Sequence, residues 1–223
     1  LDDMSLLADG TVMAPGEGRR GAPTMRARVA VPSLDNGHPK RRHPCLFGAI
    51  HIGLIYVMGY FLIFTAMPAI FAVAAALILG GPLFGITAAF LSVPISIVWY
   101  ALAVVAVKRL CIGRIEPGIY RLESRHYLRH WFLEYLLRNT RTILLPVYAT
   151  VYLPGFLRML GAKIGRGSEI STVMHISPDL TEVGNGSFLA DGSLVGGARI
   201  HAGAIEIHPT KIGHKTFIGN SAL

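Results

Sequence analysis

His175, Asp179 and Glu182 lie together in the stretch STVMHISPDLTEVG. An imidazole beside two carboxylates is a general-base arrangement. His175 can take a proton, Asp179 four residues later can orient the ring, and Glu182 can position an ammonium group. Just downstream, Gly184, Gly186, Gly192, Gly196 and Gly197 can offer backbone N–H groups to an oxyanion. The residues alone leave a second reading open: His175 as a solvated corner histidine, and Asp179, after Pro178, as a turn residue.

The element that must position them is a run of imperfect six-residue repeats from Ile164 to the last residue: IGRGSE, ISTVMH, ISPDLTE, VGNGSF, LADGSL, VGGARI, HAGAIE, IHPTK, IGHKTF, IGNSAL. Ile164, Ile170, Ile176, Val183, Leu189, Val195, Ile207, Ile212 and Ile218 open blocks, and Ser168, Ser187, Ser193, Thr216 and Ala222 fill a small fifth position. This period predicts a parallel β-helix whose aliphatic residues stack inward. Glycine after the aliphatic residue, as at Gly165, Gly184 and Gly213, fits corners where a side chain would crowd. A strict sixfold count would bury Glu182 and Glu206, and unpaired buried carboxylates are costly. The register therefore predicts one extra residue near Asp179-Leu180 and one missing near Pro209.

Upstream the chain is of another kind. Hydrophobic residues make up 52% of it and charged residues only 15%, with a mean hydropathy of +0.49. From His43 to Val107 there is no Asp, Glu, Lys or Arg. That run is long enough for two membrane-spanning helices, roughly 47–79 and 83–107, with Pro68 in the first and Gly80-Gly81-Pro82 as the turn. Lys40, Arg41 and Arg42 precede the hairpin, and Lys108, Arg109 and Arg114 follow it. Both flanks are basic, which predicts a multi-pass membrane protein with both ends of this segment cytoplasmic. The net charge of +8 then answers to membrane lipids, and no nucleic-acid partner is expected.

Residues 110–163 read as an interfacial amphipathic segment, with charges alternating with Leu, Trp131, Phe132 and Tyr135 at helical spacing. His126 and His130 are expected to face lipid headgroups. His201, His208 and His214 recur along the repeats, but zinc would need further ligands, so no metal site is expected. His51 in the first span reads as a functional candidate or as a group reaching the interface. Cys45 and Cys111 read as apolar filler or as acylation sites.

The first residues return to the repeat. Leu1, Leu7 and Met13 are six apart, so 1–25 reads as the end of a preceding β-helix and 26–45 as a basic linker to the hairpin at 46–109. A chain that opens on Leu and closes within a repeat at 164–223, without a cap, is expected to be the middle of a longer polypeptide.

This order of parts resembles the C-terminal region of membrane-bound non-ribosomal-peptide-synthetase-like proteins of the ε-poly-lysine synthase type. LDDMSLLADG, RGAP and above all RMLGAKIGRGSEISTVMHISPDLTEVGNGSFLADGSLVGGARI carry the resemblance. It implies tandem acyltransferase-like domains of left-handed β-helix fold separated by pairs of membrane spans. It also implies peptide-bond formation between an aminoacyl thioester and an amine acceptor. The donor would be a phosphopantetheine-linked thioester or an acyl-CoA, with no other cofactor in this segment. Partners would be adenylation and carrier domains of the same polypeptide and neighbouring β-helix domains or a homo-oligomer. The glycine-rich corners would then serve an oxyanion or the phosphopantetheine arm. The alternatives are a non-catalytic anchor or scaffold on degenerate repeats, a generic membrane-bound acetyltransferase, and an export role, for which spans with His51 as their sole ionisable group make a poor pathway.

Overall fold

The uncharged run forms two long helices, α1 (Pro44–Gly80) and α2 (Pro82–Ala106), reversing at Gly81. Gly81 has φ 78°, a left-handed conformation that glycine adopts without steric cost. The structure is a computed structural model describing residues 6–21, 23–27, 44–201 and 203–222. Most of the 26–45 linker, with Lys40, Arg41 and Arg42, lies outside the described residues, as do Leu1 to Ser5 of the expected N-terminal coil. Among the residues before the hairpin, β1 (Arg19–Arg20) pairs antiparallel with β2 (Met25–Arg26), and Glu17 accepts hydrogen bonds from Arg19 and Arg26.

Both long helices are apolar and long enough to cross a bilayer, and nearly all their side chains face outward. They are compatible with membrane insertion. At 1.5 Å per residue α1 extends about 55 Å, more than the roughly 30 Å of a hydrocarbon core. Pro68 and Pro94 lie inside the two helices.

α2 continues into a π-helical segment, Val107–Ile112, that turns Lys108 into the interior. After β3 (Gly118–Arg121) comes α3 (Arg125–Ile143), capped by the Ser124 hydroxyl, which accepts from the Tyr127 N–H at 3.1 Å. α3 packs on the hairpin and buries His130, Phe132, Leu133, Leu136, Leu137 and Thr140. The expectation that His130 faces headgroups is thus corrected: its ring points inward among these apolar residues. His126 instead stacks on Tyr120, ring centroids 4.3 Å apart. α4 (Leu153–Leu160) buries Leu153, Phe156, Leu157 and Leu160 beneath the sheet-rich region.

That region is small and built of short strands. β4 (Lys163–Ile164), β6 (Thr181–Val183) and β10 (Thr210–Ile212) form one parallel sheet; β5 (Glu169–Ile170), β7 (Phe188–Leu189) and β11 (Phe217–Ile218) form another. Met174 and Leu194 make a further parallel bridge. Ile164 and Val183 stack inward in the first sheet, Ile170 and Leu189 in the second. At two of the small fifth positions a buried hydroxyl ties neighbouring turns together. Ser168 Oγ donates to the Gly184 carbonyl at 2.6 Å and Ser187 Oγ to the Gly213 carbonyl at 2.7 Å.

The register explains which repeats are real. Lys163 pairs with Glu182, and a 3-10 turn at Pro178–Leu180 takes up the extra residue. Glu182 pairs in turn with Lys211, a much longer step. The intervening chain leaves the parallel sheets as β8 (Arg199–His201) and β9 (Ala204–Ile207), an antiparallel pair that β3 extends along β9. VGGARI therefore leaves the stack after Val195, HAGAIE does not continue it, and the residue expected to be missing near Pro209 is instead an inserted hairpin. Its alternating apolar residues mimic the repeat because Ala204, Ile205 and Ile207 still face a core.

Candidate functional site

His175 lies in the loop between β5 and the 3-10 turn with φ 49°, a left-handed conformation rare for a residue with a side chain. Asp191 anchors the start of that loop. It accepts from the Ser171 and Thr172 hydroxyls and from the Thr172 N–H, which together hold its carboxyl below the usual range. The far end is fixed where the 3-10 turn packs on α4. Held between these anchors, the His175 ring, 48% exposed, meets α3, and its Nδ1 lies 3.0 Å from Glu134 Oε2.

The pair lines a cavity of about 240 Å³ between α3 and the loop. Arg138, Arg141 and Tyr148 contribute its other polar walls, and Leu137, Val173 and Ile176 its apolar ones. Burial pushes the Tyr148 phenol up to about 12, against the pull of the nearby Arg141 guanidinium. The hydroxyl therefore stays a hydrogen-bond donor. One turn before Glu134, burial holds His130 below the ordinary imidazole range. Glu134 pulls it back up, and His175 pushes it further down. His130 Nε2 and Ser177 Oγ are buried with no hydrogen-bond partner among the described residues.

Asp179, expected to orient His175, is engaged elsewhere. Its Oδ1 accepts from Lys108 Nζ at 2.5 Å and its Oδ2 from the Ile115 N–H at 2.9 Å. The carboxylate on the imidazole is that of Glu134, and Asp179 instead ties the 3-10 turn to the end of the helical hairpin. Glu182 lies half exposed on the outer face of β6, between its register partners Lys163 and Lys211, and with Gly184 lines a separate groove.

The glycine N–H groups divide into two sets. Those of Gly184, Gly186 and Gly192 donate to the carbonyls of Ile212, Arg166 and Thr172, so they hold neighbouring turns together and are not aimed at a ligand. Gly197 sits against the site, since a Cβ built there would lie 3.9 Å from the His175 Cβ. Gly196, φ 74°, packs on Thr210.

Glu134, Arg138, Arg141 and Tyr148 were not singled out from sequence. Their signal was present: Glu134 is the one acid in α3, and with His130, Arg138 and Arg141 it makes a polar stripe at spacings of four, four and three. Read as an interfacial helix, that stripe looks like a solvated face. Among the described residues no group of His, Cys, Asp and Glu could hold a metal ion.

Over 115 residues, 52% of its length, the chain is 37% identical to the delta-poly-L-ornithine synthetase of Acinetobacter baumannii (strain AB307-0294). That stretch is 9% of the relative, so the chain spans less than a tenth of its length. No family model matches the chain, and no solved structure matches it significantly. Over that stretch the chain is similar to a protein named as a poly-amino-acid synthetase.

Proposed function

We propose that this chain is part of a membrane-bound peptide-synthetase-like enzyme, and that its sheet-rich region joins a carrier-bound aminoacyl thioester to an amine acceptor. The observation that carries the reading is the His175–Glu134 pair, 3.0 Å apart in the wall of a cavity. With Nδ1–H donated to Glu134, the lone pair on Nε2 is free to act as base. The acceptor amine attacks the thioester carbonyl, the C–N bond forms and its proton passes to Nε2. The C–S bond then breaks, and the departing thiolate takes that proton from the imidazolium. Adenylation and carrier domains elsewhere in the same polypeptide supply the donor as a phosphopantetheine thioester; the alternative donor is a free acyl-CoA.

The same reading takes the parallel sheets as walls of a left-handed β-helix, neighboured by similar domains or further copies. It takes α1 and α2 as a membrane hairpin with both flanks on the cytoplasmic side. Lys108, Arg109 and Arg114 at the exit of α2 support that orientation. Because α3 packs on both the hairpin and the loop of His175, the reaction would run close to the lipid surface.

The test uses full-length protein in nanodiscs, its carrier domain loaded with a radiolabelled amino acid and challenged with amine. Loading that persists while transfer stops in His175→Ala supports the reading. Unchanged transfer in that variant leaves the region a scaffold.

A further inference from the structure

α3 brings two arginines to the cavity that His175 lines, and among the described residues no acid forms an ion pair with either. Glu134 and Arg138 are four residues apart, the spacing at which an acid normally pairs with a base along a helix. Here Glu134 turns to His175 instead. Arg138 and Arg141, three apart and so on one face, line the cavity with no ion-pair partner among the described residues. Tyr148 completes the wall. Its ring is largely buried, the residue being 8% exposed, and its hydroxyl makes no hydrogen bond among the described residues, so it is free to donate to a ligand. An exposed Arg138, a half-buried Arg141 and a protonated phenol thus line one cavity as donors without an acceptor among the described residues.

We propose that Arg138, Arg141 and the Tyr148 hydroxyl form an oxyanion-binding subsite beside His175, which holds a substrate by its phosphate or its carboxylate. This rests on the acyl-transfer reading for the identity of the substrate. Planar guanidinium groups match a two-oxygen acceptor edge in a way a lysine does not. At about 240 Å³ the cavity takes one end of a ligand rather than the whole of it. Two substrate ends carry that chemistry: the phosphate of the donor's pantetheine arm and the carboxylate of an amino-acid acceptor. Either would be anchored while the reacting centre lies near Nε2 of His175. The subsite would raise affinity and fix orientation, and the imidazole would move the proton.

The test is equilibrium binding, which needs no turnover and so separates this proposal from the acyl-transfer reading. Full-length protein in nanodiscs is titrated calorimetrically with 4′-phosphopantetheine against pantetheine, and with a basic amino acid against its carboxamide. Charge-assisted hydrogen bonds predict a preference of about tenfold or more for the charged member of one pair. Preference in the first pair identifies the phosphate as the ligand; preference in the second identifies the carboxylate. That preference should collapse in the double variant Arg138→Gln/Arg141→Gln, survive in part in Arg138→Lys/Arg141→Lys, and fall in Tyr148→Phe, which removes only a hydroxyl. Equal affinities within both pairs for the wild type would overturn the proposal, as would a preference untouched by the glutamine substitutions.

Discussion

Lys108 Nζ and Asp179 Oδ1 meet at 2.5 Å with both side chains less than a tenth exposed. One lies in the π-helical exit of α2 and the other in the 3-10 turn that follows His175. The contact therefore joins the helical hairpin to the loop of the candidate site. It is closed from one side by Gly161, φ 120°, where a Cβ would lie 2.6 Å from the Asp179 Oδ1.

Removing one partner of such a pair strands a charge in the interior, at a cost of about 3–5 kcal/mol. Lys108→Met and Asp179→Asn are each expected to lower the thermal midpoint of the detergent-solubilised protein sharply. The double change Lys108→Met/Asp179→Asn leaves no buried charge and should cost less than the two singles together. Gly161→Ala should resemble the singles. Additive single and double effects would show that the two side chains act independently.

Glu134 is the orienting group for His175 in this structure. Glu134→Leu should therefore reduce single-turnover transfer by about 10²-fold, the lower end of what a positioned base contributes, while leaving carrier loading intact. Glu134→Gln keeps an acceptor oxygen near Nδ1 and should retain more activity. Asp179→Asn, once corrected for any loss of folded protein, should leave the rate per folded molecule much closer to wild type. Transfer that responds to Asp179 but not to Glu134 would reverse the assignment.

The helical hairpin was legible because an uncharged run of that length has few other uses. The site was legible only in part, and the errors share a cause. Asp179 is near His175 in sequence, but the ladder that follows turns it toward Lys108. Glu134 is forty-one residues away, and only the packing of α3 on the loop brings it to the ring. His130 looks like a headgroup-facing histidine until the direction of α3's apolar face is known. VGGARI and HAGAIE satisfy the repeat pattern, yet alternation of period two suits an antiparallel hairpin equally well. Local spacing conveys which face a residue takes; it does not convey which distant element that face meets.

His130 makes stability depend on pH in a defined direction. Burial lowers its folded pKa from the ordinary 6.5, so below that value the unfolded chain binds a proton that the folded chain resists. Stability then falls as pH drops from about 6.5 toward the depressed folded value, and the loss is complete below it. His130→Leu removes both the titration and a buried Nε2 that has no partner among the described residues. Thermal unfolding of this variant between pH 7.5 and 5 should show a flatter decline than wild type, with equal or higher stability at the acid end. Parallel curves would mean that the histidine titrates alike in both states.

Gly184 tests whether the stack tolerates any thickening at its corner. A Cβ there would come within 2.6 Å of the Gly213 carbonyl group and of the His214 nitrogen, all main-chain atoms of the next turn. Main chain on both sides cannot rotate away as a side chain would, and the Gly184 N–H is committed to the Ile212 carbonyl. Gly184→Ala must therefore push two turns apart, an overpacking cost of about 1–3 kcal/mol or more. Gly197→Ala adds the same methyl group where its nearest contact is the His175 Cβ at 3.9 Å, ordinary van der Waals range. The first change should lower the unfolding midpoint and the yield of folded protein, and the second should leave both near wild type. A corner that instead absorbs alanine at 184 without loss would mean that the turns are less tightly stacked than the Gly184–Gly213 approach implies.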